Sequence, residues 1–180
     1  MKIAPEHFDR LALEQLDTLY RLARRWTGHP SRAEDLVQET YLRAIRARDD
    51  FSLEVCGIRP WLVRIMHNLH VTRSQREQRQ PVAMEDLDIT AEPGRSQAPM
   101  TENPASFEAM DQHLVRAIEE LPQEYQTVLM LWALEDFSYQ EIADALEVPI
   151  GTVMSRLHRA RGRLSARLAD YARREGIIRE

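Results

Sequence analysis

The stretch Ser138 to Leu164, SYQEIADALEVPIGTVMSRLHRARGRL, predicts a short capped helix, a tight turn and a long basic helix. Ser138 and Glu141 have the spacing of a capping box, in which each side chain accepts a hydrogen bond from the other residue's backbone N–H. Residues 147–149, ending in a proline, interrupt the helical pattern. Two helices joined by so short a turn are typical of a helix-turn-helix.

The second of these helices, from about Gly151 to Leu164, is amphipathic and has no acidic residue. Apolar residues of both helices recur at spacings of three and four and predict one inner face: Ile142, Ala143, Leu146, Val153, Leu157, Ala160 and Leu164. Arginine can bond a base edge through two hydrogen bonds or bind a phosphate. We therefore predict that this helix enters the major groove of DNA, although a solvated arginine face on a helical hairpin is the alternative.

The charge is distributed unevenly along the chain, although the net charge is −5. Residues 59–79 hold five arginines against one glutamate, and residues 149–167 hold five arginines and no acid. Between them, residues 80–112 hold seven acids against one arginine. Two basic blocks separated by an acidic one favour two surfaces for an anion such as nucleic acid, whereas a single block could be a solvated face.

The pattern of apolar residues predicts an all-α fold with two small helical domains joined by a flexible acidic linker. We expect helices at 5–26, at 60–78, and from Ser31, where Ser31 and Glu34 have capping-box spacing, to about Arg48. Residues 81–105 hold four prolines and a glycine, which is typical of a linker. The expected domains are therefore 1–80 and 106–180, the second containing the helix-turn-helix.

Two long motifs resemble one family. The stretch from Leu121 to Leu164 resembles region 4, the promoter-recognition region, of the extracytoplasmic-function (group 4) sigma factors of bacterial RNA polymerase. The segments AEDLVQETYLRA (33–44) and WLVRIMHNLHVTRSQREQR (61–79) resemble region 2 of the same family. The resemblance implies a non-catalytic subunit that binds core polymerase and directs initiation by recognising −10 and −35 promoter elements.

One helix face in 33–44 is a candidate polymerase-binding surface. The helical spacing predicts a buried stripe of Leu36, Val37, Tyr41, Ala44 and Ile45, and an opposite face formed by Asp35, Gln38, Glu39 and Leu42. Taken alone, this opposite face could be solvated surface. The resemblance implies that it docks on the clamp helices of the largest polymerase subunit.

The helix at 61–79 is a candidate −10 surface. Trp61, Ile65 and Leu69 are expected in the core, with a polar face formed by Arg64, Asn68, Thr72, Arg73 and Arg76. Such a face suits a strand that is melting from the duplex. The resemblance places Asn68 where the family holds a flipped non-template base. In the family an Asp commonly follows this Asn, whereas Val71 and Thr72 stand at that place here, and His67 and His70 are unusual. The family's base preference at the −10 element therefore does not carry over to this chain.

The candidate −35 residues lie on the last helix: Thr152, Met154, Ser155, Arg156, His158, Arg159 and Arg163. Thr152 could instead cap the helix. The resemblance places Met154, Ser155, His158 and Arg159 at groove-facing positions. Met154 and His158 are side chains that we do not expect to copy another member's base preference.

The partners that the resemblance implies are core RNA polymerase (clamp helices and flap), promoter DNA and an anti-sigma factor. We expect a cytoplasmic protein with no membrane insertion, since the chain has no long apolar run and a single cysteine, Cys56. The sigma-factor hypothesis predicts a monomer when the chain is free. No catalytic motif, cofactor or metal site is indicated. His67 and His70 lack a third ligand, and Cys56 is interpreted as structural or incidental.

A second functional class remains open from the residues alone. A conventional transcriptional regulator, with a helical sensor or dimerisation domain, would carry a similar helix-turn-helix. It would bind DNA unaided as a dimer, whereas a sigma factor requires core polymerase. The basic block at 61–79 favours the sigma factor, because a sensor domain has no reason to carry it.

Overall fold

In a computed structural model the chain is described for residues 4–52, 56–79 and 112–174, where it forms α-helices and no strand. The N-terminal bundle consists of α1 (Pro5–Leu13), α2 (Leu16–Thr27), α3 (Pro30–Arg46) and α4 (Ile58–Arg79), with a 3-10 turn at Arg48–Asp50. The C-terminal bundle consists of α5 (Gln112–Glu119), α6 (Gln123–Ala133), α7 (Tyr139–Leu146) and α8 (Ile150–Arg174). The all-α prediction is confirmed, and the predicted linker at 81–105 lies outside the described residues.

The turn between α2 and α3 follows from glycine and proline. Gly28 ends α2 with φ +68°, a left-handed conformation that glycine adopts without steric cost. Pro30 then occupies the first turn of α3, where its fixed φ suits the helix and its missing N–H is not needed. The predicted capping box at Ser31 is therefore wrong, because the helix begins one residue earlier. The Ser31 hydroxyl instead lies 3.2 Å from Nδ1 of His29.

The single helix predicted for 5–26 is also divided, into α1 and α2. Gln15 leaves helical geometry at φ −93° and ψ 0°. At this break the Tyr41 hydroxyl donates a 2.7 Å hydrogen bond to the carbonyl of Ala12. Because this bond comes from a residue far along the chain, local sequence pattern does not reveal the break.

The buried stripe of α3 differs by one position from the prediction. Leu36, Val37 and Ala44 are buried, but Ile45 is 48% exposed. Thr40 lies in the core instead, and its hydroxyl donates to the Leu36 carbonyl at 2.7 Å. This intrahelical bond satisfies the polar group, so that burial costs little.

The helix-turn-helix has the predicted local structure. Ser138 accepts from the backbone of Glu141, and the Glu141 carboxylate accepts from the backbone of Ser138, which confirms the capping box. Glu147 ends α7 in the left-handed region at φ 54°. The inner-face residues Ile142 and Val153 are fully buried.

The two bundles pack against each other through α4 and α7. Of the expected core residues of α4, Trp61 and Leu69 are buried and Ile65 is half-buried. Leu62, Val63 and Met66 are buried as well. The apolar surface of α4 is therefore wider than one stripe, because the N-terminal bundle covers one side and α7 covers another. None of the helices in the described ranges is long and apolar enough to cross a membrane.

Ser138→Ala should lower the free energy of unfolding by about 1 kcal/mol, because it leaves a backbone donor at the start of α7 without its partner. Ser165→Ala is the matched control, since Ser165 is exposed within α8. Urea denaturation followed by circular dichroism measures both. Equal midpoints for the two variants would contradict the contribution assigned to the cap.

Candidate nucleic-acid interfaces

The first half of α8 presents a polar face to solvent. Met154, Ser155, His158, Arg159 and Arg163 are exposed, and Thr152 is half-buried. Ser155 donates its hydroxyl to the Thr152 carbonyl at 3.0 Å, within the helix. The opposite side of α8 packs through Val153, Leu157 and Ala160, so packing fixes which face is outward.

Arg156 differs from the other predicted −35 residues. Its Nη2 lies 3.0 Å from the Glu124 carboxylate of α6, and the side chain is 24% exposed. Arg156 therefore points toward the C-terminal bundle. Arg163 lies with its guanidinium carbon 5.2 Å from the Tyr125 ring centre, a cation–π distance that leaves the side chain exposed.

The predicted −10 residues of α4 fall into two groups. Thr72, Arg73 and Arg76 are exposed along the second half of the helix. Arg64 and Asn68 face the turn of the helix-turn-helix: Asn68 Nδ2 donates to Glu147 Oε2 at 3.3 Å, and Arg64 Nη1 lies 3.7 Å from Glu147 Oε1. A carboxylate thus occupies the face that the sequence assigns to nucleic acid.

His67 and His70 pack on Trp26 of α2 and do not converge on a shared ligand position. The His70 ring stacks on the indole at 5.6 Å between centres, and the His67 ring meets it edge-on at 5.7 Å. Burial lowers the pKa of both imidazoles, and the charge of His70 lowers that of His67 further. The two histidines therefore act as aromatic packing groups that favour the neutral form.

The predicted polymerase-binding residues lie together. Asp35, Gln38, Glu39 and Leu42 line a groove of about 660 Å³ between α3 and α4, and Leu42 is 51% exposed. Arg73 of the −10 set lines the same groove. The Arg43 side chain donates to Glu39 at 2.9 Å, and this hydrogen bond lowers the pKa of the Glu39 carboxyl.

Glu135 is a charged residue that the sequence analysis did not single out. Its side chain is 1% exposed and accepts hydrogen bonds from Arg21 and Arg25 of α2. No local signal distinguishes it, because an acid before a turn is ordinary and its partners are over a hundred residues away. Cys56 is buried, and burial raises the pKa of its thiol, which fits the structural interpretation.

Comparison with known proteins identifies both halves of the chain. The Sigma-70 region 2 family matches residues 11–80, and the Sigma-70, region 4 family matches residues 111–164. The ECF RNA polymerase sigma factor EcfG of Rhodopseudomonas palustris is 34% identical over 157 residues, which cover 87% of this chain and 82% of that protein. The chain belongs to the ECF sigma factors.

A second relative of this sigma factor is longer. The ECF RNA polymerase sigma factor SigE of Mycolicibacterium smegmatis is 33% identical over 165 residues. That match covers 92% of this chain and 63% of the relative's length. The family is that of non-catalytic polymerase specificity subunits, whose regions 2 and 4 bind −10 and −35 elements. The comparisons give no support to the alternative of a conventional regulator.

The likeness extends to a solved structure. The sigma factor RpoE of Bartonella quintana, crystallised with the anti-sigma factor NepR, superposes with a TM-score of 0.66 at 25% identity. The superposition covers 91% of this sigma factor and 98% of that chain. Coverage this high spans both helical bundles.

The lowered pKa values predict that this sigma factor loses stability in acid. Below about pH 6.5, the unfolded chain binds protons at His67 and His70 that the folded chain resists, so the free energy of unfolding falls as pH falls. Above that pH both imidazoles are neutral in the folded and the unfolded chain, so protonation no longer lowers the free energy of unfolding. Urea midpoints at pH 7.5 and 5.0 should differ more for the wild type than for His67→Gln/His70→Gln. His7→Gln, at an exposed position, is the control and should keep the wild-type difference; a double variant that also keeps it would contradict the assignment.

Proposed function

We propose that this chain binds core RNA polymerase through α3 and directs promoter-specific initiation through α4 and α8. The observation that supports this most is the pair of exposed basic faces on α4 and α8, in a chain whose two halves match regions 2 and 4. It acts as a non-catalytic monomer in the cytoplasm and needs no cofactor. The proposed domains are 1–80 and 106–180, joined by a linker at 81–105.

The −35 contact is assigned to the outward face of α8. Its arginines supply base-edge and phosphate contacts, with Ser155 and His158 between them. Arg156 belongs to this set only if it leaves Glu124, since the 3.0 Å ion pair turns it away from the other arginines. The full proposed set is Thr152, Met154, Ser155, Arg156, His158, Arg159 and Arg163.

The −10 contact is assigned to α4. Thr72, Arg73 and Arg76 are exposed and suit the phosphates of a single strand. Asn68 has an amide that can donate to and accept from a base edge, and Arg64 lies one turn before it on the helix. Reading the duplex with α8 and capturing the opening strand with α4 would couple recognition to melting.

The core contact is assigned to Asp35, Gln38, Glu39 and Leu42. An exposed Leu42 bordered by two carboxylates and one amide offers an apolar centre with a polar rim, which is the usual anatomy of a protein interface. The clamp helices of the largest subunit are the proposed partner, with the flap contacting the C-terminal bundle. An anti-sigma factor is a further proposed partner, supported by the RpoE structure in complex with NepR.

Run-off transcription tests the proposal directly. Purified core polymerase is incubated with fragmented genomic DNA of the source bacterium, with and without this chain, and the transcripts are mapped. Discrete start sites that depend on the chain are expected. If the chain neither binds core nor changes the starts, it is not a polymerase specificity subunit.

Asp35→Ala should weaken binding to core by about tenfold, since one well-placed interface contact contributes about 1–2 kcal/mol. The substitution removes an exposed charge from the groove face of α3. Asp9→Ala, which removes an exposed charge from α1, is the matched control. Titration of fluorescent sigma factor with core measures both, and equal affinities would show that α3 is not the docking helix.

Arg159→Ala should reduce discrimination between the cognate −35 element and its point variants by about 1–3 kcal/mol at one base pair. Arg161→Ala is the control on the same helix, since its guanidinium lies over Trp132 at 4.1 Å. Holoenzyme binding to promoter fragments gives the ratios. Unchanged ratios for Arg159→Ala would remove that residue from the reading face.

A further inference from the structure

Arg161 extends the outward face of α8 beyond the residues assigned to the −35 contact. It follows Met154 by seven residues and His158 by three, a spacing that places the three side chains along one side of the helix, and all three are exposed. Arg161 lies about 10 Å along the helix axis beyond Met154. Since the N-terminal residues of a recognition helix contact the base edges, a residue this much farther along lies nearer the sugar-phosphate backbone at the edge of the groove.

Trp132 of α6 holds this arginine. The guanidinium carbon of Arg161 lies 4.1 Å from the centre of the Trp132 ring, which is within cation–π distance. The indole is 37% exposed, so the two side chains meet at the surface of the C-terminal bundle. A guanidinium over an aromatic face keeps its N–H donors in its own plane, where a phosphate can reach them. The contact therefore restrains Arg161 without using its hydrogen-bond donors.

The charge of Arg161 is not neutralised by an acid of the bundle. Arg156 pairs with Glu124 and Arg167 pairs with Glu120, whereas no carboxylate in the described part of the chain lies within ion-pair distance of Arg161. An indole attracts a cation through its quadrupole but does not cancel its charge. Arg161 thus presents a restrained positive charge beside the proposed −35 face.

The surroundings of the indole indicate from which side an anion can approach. Trp132 borders a hollow of about 400 Å³ together with Asp136, Phe137 and Ser138, and Arg161 does not line this hollow. The Asp136 carboxylate repels an anion there. A phosphate is therefore expected on the side of α8, where the guanidinium lies.

We propose that Trp132 and Arg161 form a phosphate clamp at the edge of the −35 element, in which Trp132 positions Arg161 to bind one backbone phosphate of the promoter duplex. The clamp contributes affinity and fixes the register of α8 in the groove, but it reads no sequence, because a phosphate carries no base information. This inference rests on the proposed function of α8. It adds a backbone contact to the base-facing residues already assigned.

Holoenzyme reconstituted with the full-length chain is titrated with a promoter fragment taken from the run-off start sites. Arg161→Gln should weaken binding about tenfold, as expected for the loss of a charge-assisted hydrogen bond. The slope of log affinity against log salt concentration should become less steep by about 1. Since the lost contact is to a phosphate, the ratios between the cognate −35 element and its point variants should keep their wild-type values.

Arg167→Gln is the matched control, because it removes an exposed charge from the same helix at a position that is paired with Glu120. It should keep the wild-type affinity and the wild-type salt slope.

Single methylphosphonate linkages in the promoter fragment locate the contact, since each neutralises one phosphate. At one position the neutral linkage should weaken binding of the wild type about tenfold and leave Arg161→Gln unaffected, because that variant has already lost the contact. Trp132→Leu should lose most of this response, and Trp132→Phe, which keeps an aromatic face, should retain it. A purely structural role of Trp132 would not change the response to one particular phosphate.

The outcomes separate the clamp from the proposed function. If the wild-type holoenzyme does not discriminate between −35 variants, α8 does not read the element and both proposals fail. If it discriminates, but Arg161→Gln matches Arg167→Gln or responds to every methylphosphonate as the wild type does, the clamp alone is overturned. Weaker core binding by Trp132→Leu, with a wild-type response to every phosphate, assigns the indole to a protein interface and also overturns the clamp.

Circular dichroism identifies any variant that fails to fold. Arg161→Gln keeps the test decisive if Trp132→Leu does not fold, because Arg161 is exposed and its replacement leaves the core unchanged.

Discussion

The burial of α4 on two sides is the constraint on which the rest of the structure depends. Leu62, Val63 and Met66 leave no wholly polar side on the first half of the helix, so both bundles are needed to cover it. The polar residues that remain are confined to the edges of this contact. For that reason Arg64 and Asn68 lie at the boundary between the bundles, whereas Thr72 and Arg76, farther along, stand free of it. Packing thus divides a single basic face into a covered part and an open part.

Acidic residues at this boundary stand opposite the basic faces. Glu147 meets α4, Glu124 meets Arg156 of α8, and Glu135 meets two arginines of α2. The exposed pairs contribute little to stability in water, whereas the buried Glu135 is strongly coupled to its partners. Arg64 and Arg156 therefore have two sets of anionic partners, one within the chain and one in the proposed nucleic acid, whereas Arg21 and Arg25 pair only within the chain. The net charge of −5 conceals this competition, because it adds the arginines and the acids of the chain into one number.

Apart from the Ser31 cap, the sequence predicted features that depend on neighbours in the chain and missed those that depend on distant residues. The Ser138 cap and the inner face of the helix-turn-helix involve spacings of three and four, which periodicity reveals. The break after α1 depends on Tyr41, which is 29 residues from Ala12, and the Glu135 cluster joins residues 110 and 114 apart. The binding roles of α3 and α8 stay predictions, but their outward faces were predicted from the sequence because the spacing that defines them is local. The cover over Asn68 was not, because no periodicity encodes which surface another bundle meets.

Two requirements conflict at Glu147. Its left-handed backbone conformation favours glycine, whereas the contact with α4 needs a carboxylate side chain. A side chain at φ 54° costs about 1–2 kcal/mol relative to glycine, which would make this turn without strain. Glycine, however, would bring no carboxylate to Asn68 and Arg64. A search for heat-resistant variants of this protein would therefore favour Glu147→Gly for the backbone while loosening the contact between the bundles. Thermal tolerance and the contact between the bundles therefore make opposite demands on this residue, and improving one by mutation diminishes the other.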